Sequence, residues 1–351
     1  MQDYFYAYAL REFFQGKIYR DGGLLLQNSS LDELALTQIP QRNLELLRKS
    51  YDDELQQLAS LTGVWVLTLD DEQYPSRLRH IADPPLILYG RGALPGHSAL
   101  AMVGSRGPTE YGKMVARKLA AELGEAGLCI VSGLARGIDS VAHQAASGTK
   151  GSTVAVMGCG IDRVYPAGNQ RLARKIVEDS GAVITEFSPG TGVWPGNFPR
   201  RNRIISGMCL GVIVVEAARK SGTMITARLA LSQGREVFAV PGSIYSPKSY
   251  GSHDLIREGA HLAGSADDIV AELSLPSLFR GTVGRDSQIN AHEKLPEGLR
   301  SILSALHEQG PQTAEQLLGC SGADEASFRE NLAELELMGY ISHRSGTYFP
   351  N

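Results

Sequence analysis

A chain of 351 residues with 43% apolar and 21% charged residues has the composition of a globular protein of two or three domains. Its four cysteines, Cys129, Cys159, Cys209 and Cys320, lack any CxxC spacing; this argues against a disulfide framework or a zinc site and fits a reducing cytoplasm, and neither a secretory leader nor a membrane-spanning apolar run is expected. The formal net charge of −4 hides segregation: residues 1–75 carry 6 bases and 12 acids, residues 286–351 carry 4 and 10, and residues 162–235 carry 11 and 5, so a polyanion would meet the middle of the chain.

The first 75 residues read as short helices of a helical, SAM-like domain, with Ser30 and Glu33 spaced as a capping box ahead of LDELAL. Pro84 and Pro85, followed by LILYG, predict an extended turn and a lead-in strand. From about Ala99, strand-length apolar runs follow one another: ALAMVGS, GLCIVSG, STVAVMG, AVITEF, LGVIVVEA and REVFAVPG. Helical stretches such as GKMVARKLAAELGEAG and TMITARLALSQG lie between them. Strands apolar throughout are buried on both faces, so residues 76–272 are expected to form a Rossmann-like, doubly wound α/β domain with a mostly parallel sheet. Residues 273–295 lose periodicity and read as a linker. Over 296–351, three helices and the hairpin ISHRSGTYF predict a winged-helix-like domain, with Thr313 and Gln316 again at capping-box spacing. Its third helix, taken as 324–338, holds five acids and one arginine. Phosphates would be repelled there, so this domain reads as a protein-contact module.

In an open parallel sheet, ligands bind at the carboxyl ends of the strands. Those ends here read GSRGPTEYG, SGLARGID, GCGIDRVYP, EFSPG, EAARKSGT and VPGSIYSP. Glycines allow close backbone approach, and helix N-termini favour anions. The loops add Arg106, Arg136, Arg163, Arg219 and Lys220, and the stretch GNFPRRNRIISG sets Arg200, Arg201 and Arg203 around Asn202. Guanidinium groups fork onto phosphate, and so many over several loops suit a long polyphosphate better than one nucleotide. Tyr165, Phe187, Trp194, Phe198 and Tyr245 lie among them. Base stacking on such rings is worth about 1–3 kcal/mol each in single strands, which favours single-stranded over duplex nucleic acid.

Signs of catalysis are weaker. GPTEYGKM matches GxxxxGK but places Met114 where a phosphate loop needs a hydroxyl for Mg²⁺, and GCGIDR has Arg163 in place of a third glycine. His143 reads as a packed histidine and Asp139 as a capping group. Glu216, at a strand end, reads either as a base or as a pin for the RKSGT loop.

Taken together and in this order, VGSR (Val103–Arg106), SGLARGID (Ser132–Asp139), FPRRNRIISG (Phe198–Gly207), EAARKSGTMITA (Glu216–Ala227) and FAVPG (Phe238–Gly242) resemble the DprA/Smf family of DNA-processing proteins. The resemblance implies a non-enzymatic protein with no cofactor. It binds single-stranded DNA, homodimerises and helps load a RecA-type recombinase onto DNA taken up in natural transformation. Phosphate-binding positions carried over by motif are Gly104, Ser105 and Arg106; Ser132, Gly133 and Arg136; Phe198, Arg200, Arg201, Asn202 and Arg203; and Lys220, Gly222 and Thr223. Asn169 and Lys175, near YPAGN, are carried over too. The alternative is a nucleotide-binding enzyme of the LOG/lysine-decarboxylase-like phosphoribohydrolase type, whose PGGxGTxxE motif finds no glycine pair or second acid in EAARKSGTMITA.

Overall fold

The computed structural model describes residues 4–14, 30–96, 98–273, 275, 296–310, 312–321, 324–337, 340–344 and 346–350. Two compact units divide the chain, Met1–Phe279 and Arg280–Asn351. The first opens with helices α1 (Phe5–Phe14), α2 (Leu31–Gln38) and α3 (Gln41–Ala59), ahead of strand β1 (Val64–Thr68). Ser30 caps α2, its hydroxyl accepting from the Glu33 N–H at 3.2 Å, where the spacing predicts.

A short helix α4 (Ser76–Arg79) leads to β2 (Ile87–Gly92) and then to six strands alternating with helices. These strands are β3 (Ala99–Val103), β4 (Cys129–Ser132), β5 (Thr153–Val156), β6 (Ala182–Thr185), β7 (Gly211–Val214) and β8 (Glu236–Ala239). The helices between them are α5 (Glu110–Glu125), α6 (Ile138–Ala146), α7 (Gln170–Glu178), α8 (Asn197–Gly207) and α9 (Gly222–Ser232). Helix α10 (Tyr250–Arg257), β9 (His261–Leu262) and α11 (Ala266–Glu272) complete the unit.

The nine strands form one sheet in the order β1-β2-β6-β5-β4-β3-β7-β8-β9. The β1–β2 and β2–β6 pairings are antiparallel and the rest parallel. The apolar runs explain the layering. In β3, Leu100 and Met102 face one core with Leu119 and Leu123 of α5 and Ala142 of α6. Ala101 and Val103 face the other, which α8 and α9 cover through Ile204, Ile205 and Ala227. The chain runs from β3 outward to β6 on one side, then returns to place β7 on the other side of β3. That reversal puts the switch point of the sheet between β3 and β7.

Strand β1 lies before residue 75 and pairs with β2 over Val64–Thr68, and the N-terminal helices share the first unit with the sheet. Buried polar groups hold them there. The Glu54 carboxylate of α3 accepts hydrogen bonds from the Tyr4 hydroxyl and the Arg11 guanidinium, both at 2.9 Å, and from the Tyr89 hydroxyl of β2. Burial opposes ionisation of Glu54, but the Arg11 charge and these three donors outweigh it and hold the carboxyl below its usual value. The linker expected over 273–295 lies outside the described residues apart from Leu273 and Leu275.

The second unit contains α12 (Glu297–Gln309), β10 (Gln312–Thr313), α13 (Ala314–Ser321), α14 (Glu325–Leu337), β11 (Ile341–Arg344) and β12 (Thr347–Pro350). These are the three helices and the hairpin read from the sequence, with β10 added to give the order β10-β12-β11. Leu299, Leu303, Leu317, Phe328 and Leu335 fill its core. Glu325, Glu330, Glu334 and Glu336 of α14 stay exposed. Among the described residues no helix is long and apolar enough to cross a membrane.

Replacing Glu54 by Gln removes the buried counter-charge of the Arg11 guanidinium and leaves it only the more exposed Glu12, at 2.9 Å. Thermal or denaturant unfolding should show a loss of about 3–5 kcal/mol. The double replacement Arg11→Met with Glu54→Leu should recover most of it, because the apolar pair leaves no charge uncompensated.

Candidate nucleic-acid interface

A cavity of about 680 Å³ opens at the carboxyl ends of β3, β4 and β7, at the switch point. Gly104, Ser105 and Arg106 form one wall, Phe198, Arg201 and Asn202 of α8 another, and Ser221, Gly222 and Thr223 at the start of α9 a third. Segments more than a hundred residues apart in sequence thus meet at one site.

The β4 turn is built for close approach. A Cβ at Gly133 would lie 2.4 Å from the Arg201 guanidinium, so only glycine lets that charge lie beneath the turn. Gly137 has φ +83, and a Cβ there would meet the Ser105 carbonyl at 2.3 Å. The buried Asp139 carboxylate accepts from the N–H groups of Gly133 at 3.1 Å and Ala135 at 3.3 Å. Burial pushes the Asp139 carboxyl above its usual value, against the pull of Arg201 and these donors. Arg201 is 4% exposed and donates to the Val156 carbonyl, while its Nε has no partner. Burial lowers its pKa to about 10, Asp139 opposing and Arg106 adding to the drop. The guanidinium therefore stays charged at neutral pH beneath the cavity floor.

Around the mouth, Arg106 sits over the Phe198 ring, its guanidinium carbon 5.6 Å from the centroid, and the Tyr165 ring packs against the same Phe198 ring, centroids 5.7 Å apart. Arg106 and Arg136 are exposed, and neither makes an ion pair among the described residues. Helix α9 begins at the cavity with Ser221 at its N-cap, making no side-chain cap bond and with its hydroxyl oxygen buried and unpartnered. Free N–H groups of a first turn carry partial positive charge.

The other residues expected at the site divide into several groups. Ser132 is fully buried and donates its hydroxyl to the Met102 carbonyl at 2.6 Å, so its side chain ties β4 to β3 and does not reach a ligand. Asn169 donates to the Leu134 carbonyl at 2.8 Å and the Ser140 hydroxyl at 2.9 Å, which fixes the β4 turn from outside. Lys175 pairs with Asp179 at 2.6 Å on α7 and does not line the cavity. Lys220 is exposed next to Ser221, at the cavity edge.

The arginine stretch is helical, which the sequence reading did not anticipate, and its three guanidiniums have different fates. Arg203 does not line the cavity. It is buried, ion-paired with Glu186, and bonded to the Asp83 carbonyl at 2.7 Å. These contacts pin the segment before β2. Arg200 is half exposed, 3.1 Å from Glu186 and over the Phe187 ring; it does not line the cavity. Arg201 lies at the floor. Arg163 and Arg219 are also spoken for, by Asp162 at 2.9 Å and Asp254 at 2.7 Å.

Lys248 was not anticipated. It lies just past the quoted β8 loop, lines the cavity, and donates to the Gly107 carbonyl. Glu216 accepts from the Thr109 N–H at 2.9 Å and from its hydroxyl, so it pins the start of α5, not the RKSGT loop. His143 is fully buried against Thr153 at 2.8 Å, and burial with the Arg201 charge pushes its pKa down to about 3.

A doubly wound sheet whose switch-point crevice is lined by arginine, lysine and an open helix N-terminus defines an anion-binding α/β protein. The family model described as DNA recombination-mediator protein A matches residues 65–274, and the chain belongs to this family. It is 38% identical over 321 residues to "Protein Smf" of Escherichia coli, covering 88% of this chain and 83% of that one. It is 46% identical over 204 residues to "DNA processing protein DprA" of Streptococcus pneumoniae, covering 58% of this chain and 72% of that one. The crystal structure of the Streptococcus pneumoniae protein matches with TM-score 0.62 at 34% identity, over 78% of this chain and 99% of that one. A structure described as showing the single-stranded DNA binding mode of DNA processing protein A from Helicobacter pylori matches with TM-score 0.53 at 29% identity, over 60% of this chain and 95% of that one.

Arg203→Ala should cost about 3 kcal/mol of stability in thermal unfolding, because it strips the buried Glu186 of its closest cation. Arg106→Ala, at an exposed position, should stay within about 0.5 kcal/mol of the parent.

Proposed function

We propose that this protein binds single-stranded DNA through the cavity at the β3/β7 switch point and acts as a recombination mediator without chemical turnover. The observation that carries this reading is the convergence of Arg106, Arg201, Lys248 and the α9 N-terminus on one cavity. Arg136 and Lys220 extend the positive potential beyond its rim. The Helicobacter pylori structure, described as giving insight into a single-stranded DNA binding mode, supports the choice of ligand. The commitment of Glu216 and His143 to internal hydrogen bonds supports a binding role.

In this reading Gly104, Ser105, Gly222 and Thr223 present backbone and hydroxyl donors to phosphate, Arg106 and Arg136 supply free charge, and Asn202 offers its amide. Arg201 acts through its field from beneath. Arg200 is shared with Glu186 and contributes less. Loading of a RecA-type recombinase, homodimer formation, a cytoplasmic setting and a protein-contact role for the acidic 296–351 domain complete the proposal.

Binding measured by fluorescence anisotropy should weaken with salt at a log–log slope of about −0.7 per phosphate neutralised. Arg106→Ala and Arg136→Ala should each reduce that slope by about 0.7, with Arg203→Ala leaving it unchanged. A slope near zero, or a preference for duplex over single strand, would count against the proposal.

A further inference from the structure

The cations of the cavity account for phosphates, and a large aromatic side chain stands exposed beside it. Trp194 is 67% exposed on the loop between β6 and α8, immediately before Pro195, which lines the cavity. Packing a tryptophan removes on the order of 150–250 Å² from water, so an indole left in solvent forgoes a large favourable contribution. The loop beneath it is held firmly. The Asn197 N–H donates to the Trp194 carbonyl at 3.0 Å, and the Asn197 side chain donates to the Gly158 carbonyl at 3.1 Å. Earlier in the loop, the Gly190 N–H donates to Asp162 at 2.9 Å. The indole is therefore an aromatic surface on a fixed support, at the edge where Phe198 carries Arg106.

We propose that Trp194 is a nucleobase platform: a base of the bound strand stacks on its exposed indole while the adjoining phosphates lie along the cavity cations. This rests on the single-stranded DNA reading of the site and adds to it a contact with bases. A strand whose phosphate sits at Arg106 has its base free to turn outward, and an unpaired base has an open face to offer. Bases of a duplex are already stacked and gain nothing there, so Trp194 contributes to discrimination between strand types.

Intrinsic fluorescence of the full chain tests this. Trp65, the other tryptophan, is half-buried in β1 with its indole N–H donating to the Gly92 carbonyl at 2.7 Å, and a Trp194→Phe variant isolates its signal. The protein is titrated with oligo(dT) and with an abasic oligonucleotide of equal length, with anisotropy followed in parallel. Oligo(dT) should quench Trp194 emission, and the abasic strand should bind without quenching. Trp194→Ala should weaken oligo(dT) binding roughly five-fold or more, leave the abasic strand unaffected, and Trp194→Phe should retain most of the affinity. Oligo(dT) binding with Trp194 emission unchanged, or equal affinity of parent and Trp194→Ala for it, overturns the platform and leaves the phosphate site standing. A spectral shift with protein concentration alone would mean that a second copy covers the ring, and overturns it too. If neither strand binds the parent, the reading of the site itself fails.

Discussion

A guanidinium charge held in the interior is what the site is built around. Removing an ion from water costs several kcal/mol even after relaxation, and Arg201 meets that cost through the Val156 carbonyl and the nearby Asp139. Asp139 in turn fixes the Gly133 and Ala135 amides, so Arg201 and Asp139 together set the floor of the cavity and the shape of the β4 turn. Gly133 is required because the guanidinium occupies the space a Cβ would need. Part of the positive field at the cavity is thus built into the core packing, and the exposed Arg106 and Arg136 add to it from the surface.

The remaining parts follow from topology. The chain reversal between β3 and β7 leaves a crevice at the strand ends, and α8 and α9 close it from one face. Glu216 and Asn169 are spent on holding the loops that border it. Arginines at the mouth can then stay free for a ligand, since the structural work is done by their neighbours. Glu186 shows the opposite arrangement: it gathers Arg203 and part of Arg200 into a buried pair that anchors the segment before β2. One short sequence stretch thereby serves both stability and binding.

This explains how much the sequence disclosed. The six strands from Ala99 to Ala239 were legible because both of their faces are buried and their apolar runs are unbroken. Arg106, Gly222 and Thr223 lie in strand-end loops, which the sheet rule collects at one rim, whereas Asn202 was suggested by the family resemblance alone. Helix α8 was not, because Arg201 and Arg203 occupy its buried face and disguise the amphipathic period, and Pro199 in its first turn reads as a breaker although it is tolerated there. For the same reason the fate of Arg203 could not be read: charge alone does not say whether a guanidinium faces solvent or a buried carboxylate. Strand β1 escaped notice because its residues are half-buried throughout, with no alternation to mark a face. Lys248 reaches the cavity only through the fold of the loop after β8, which no local pattern records.

Hydrogen–deuterium exchange of the full chain, with and without a saturating single-stranded oligonucleotide, tests the central claim most directly. Slower exchange is predicted at the amides of residues 104–107 and 133–137 and in the first turn of α9, with residues 296–351 unchanged. Protection confined to residues 296–351, with the rim of the sheet unaffected, would contradict the account.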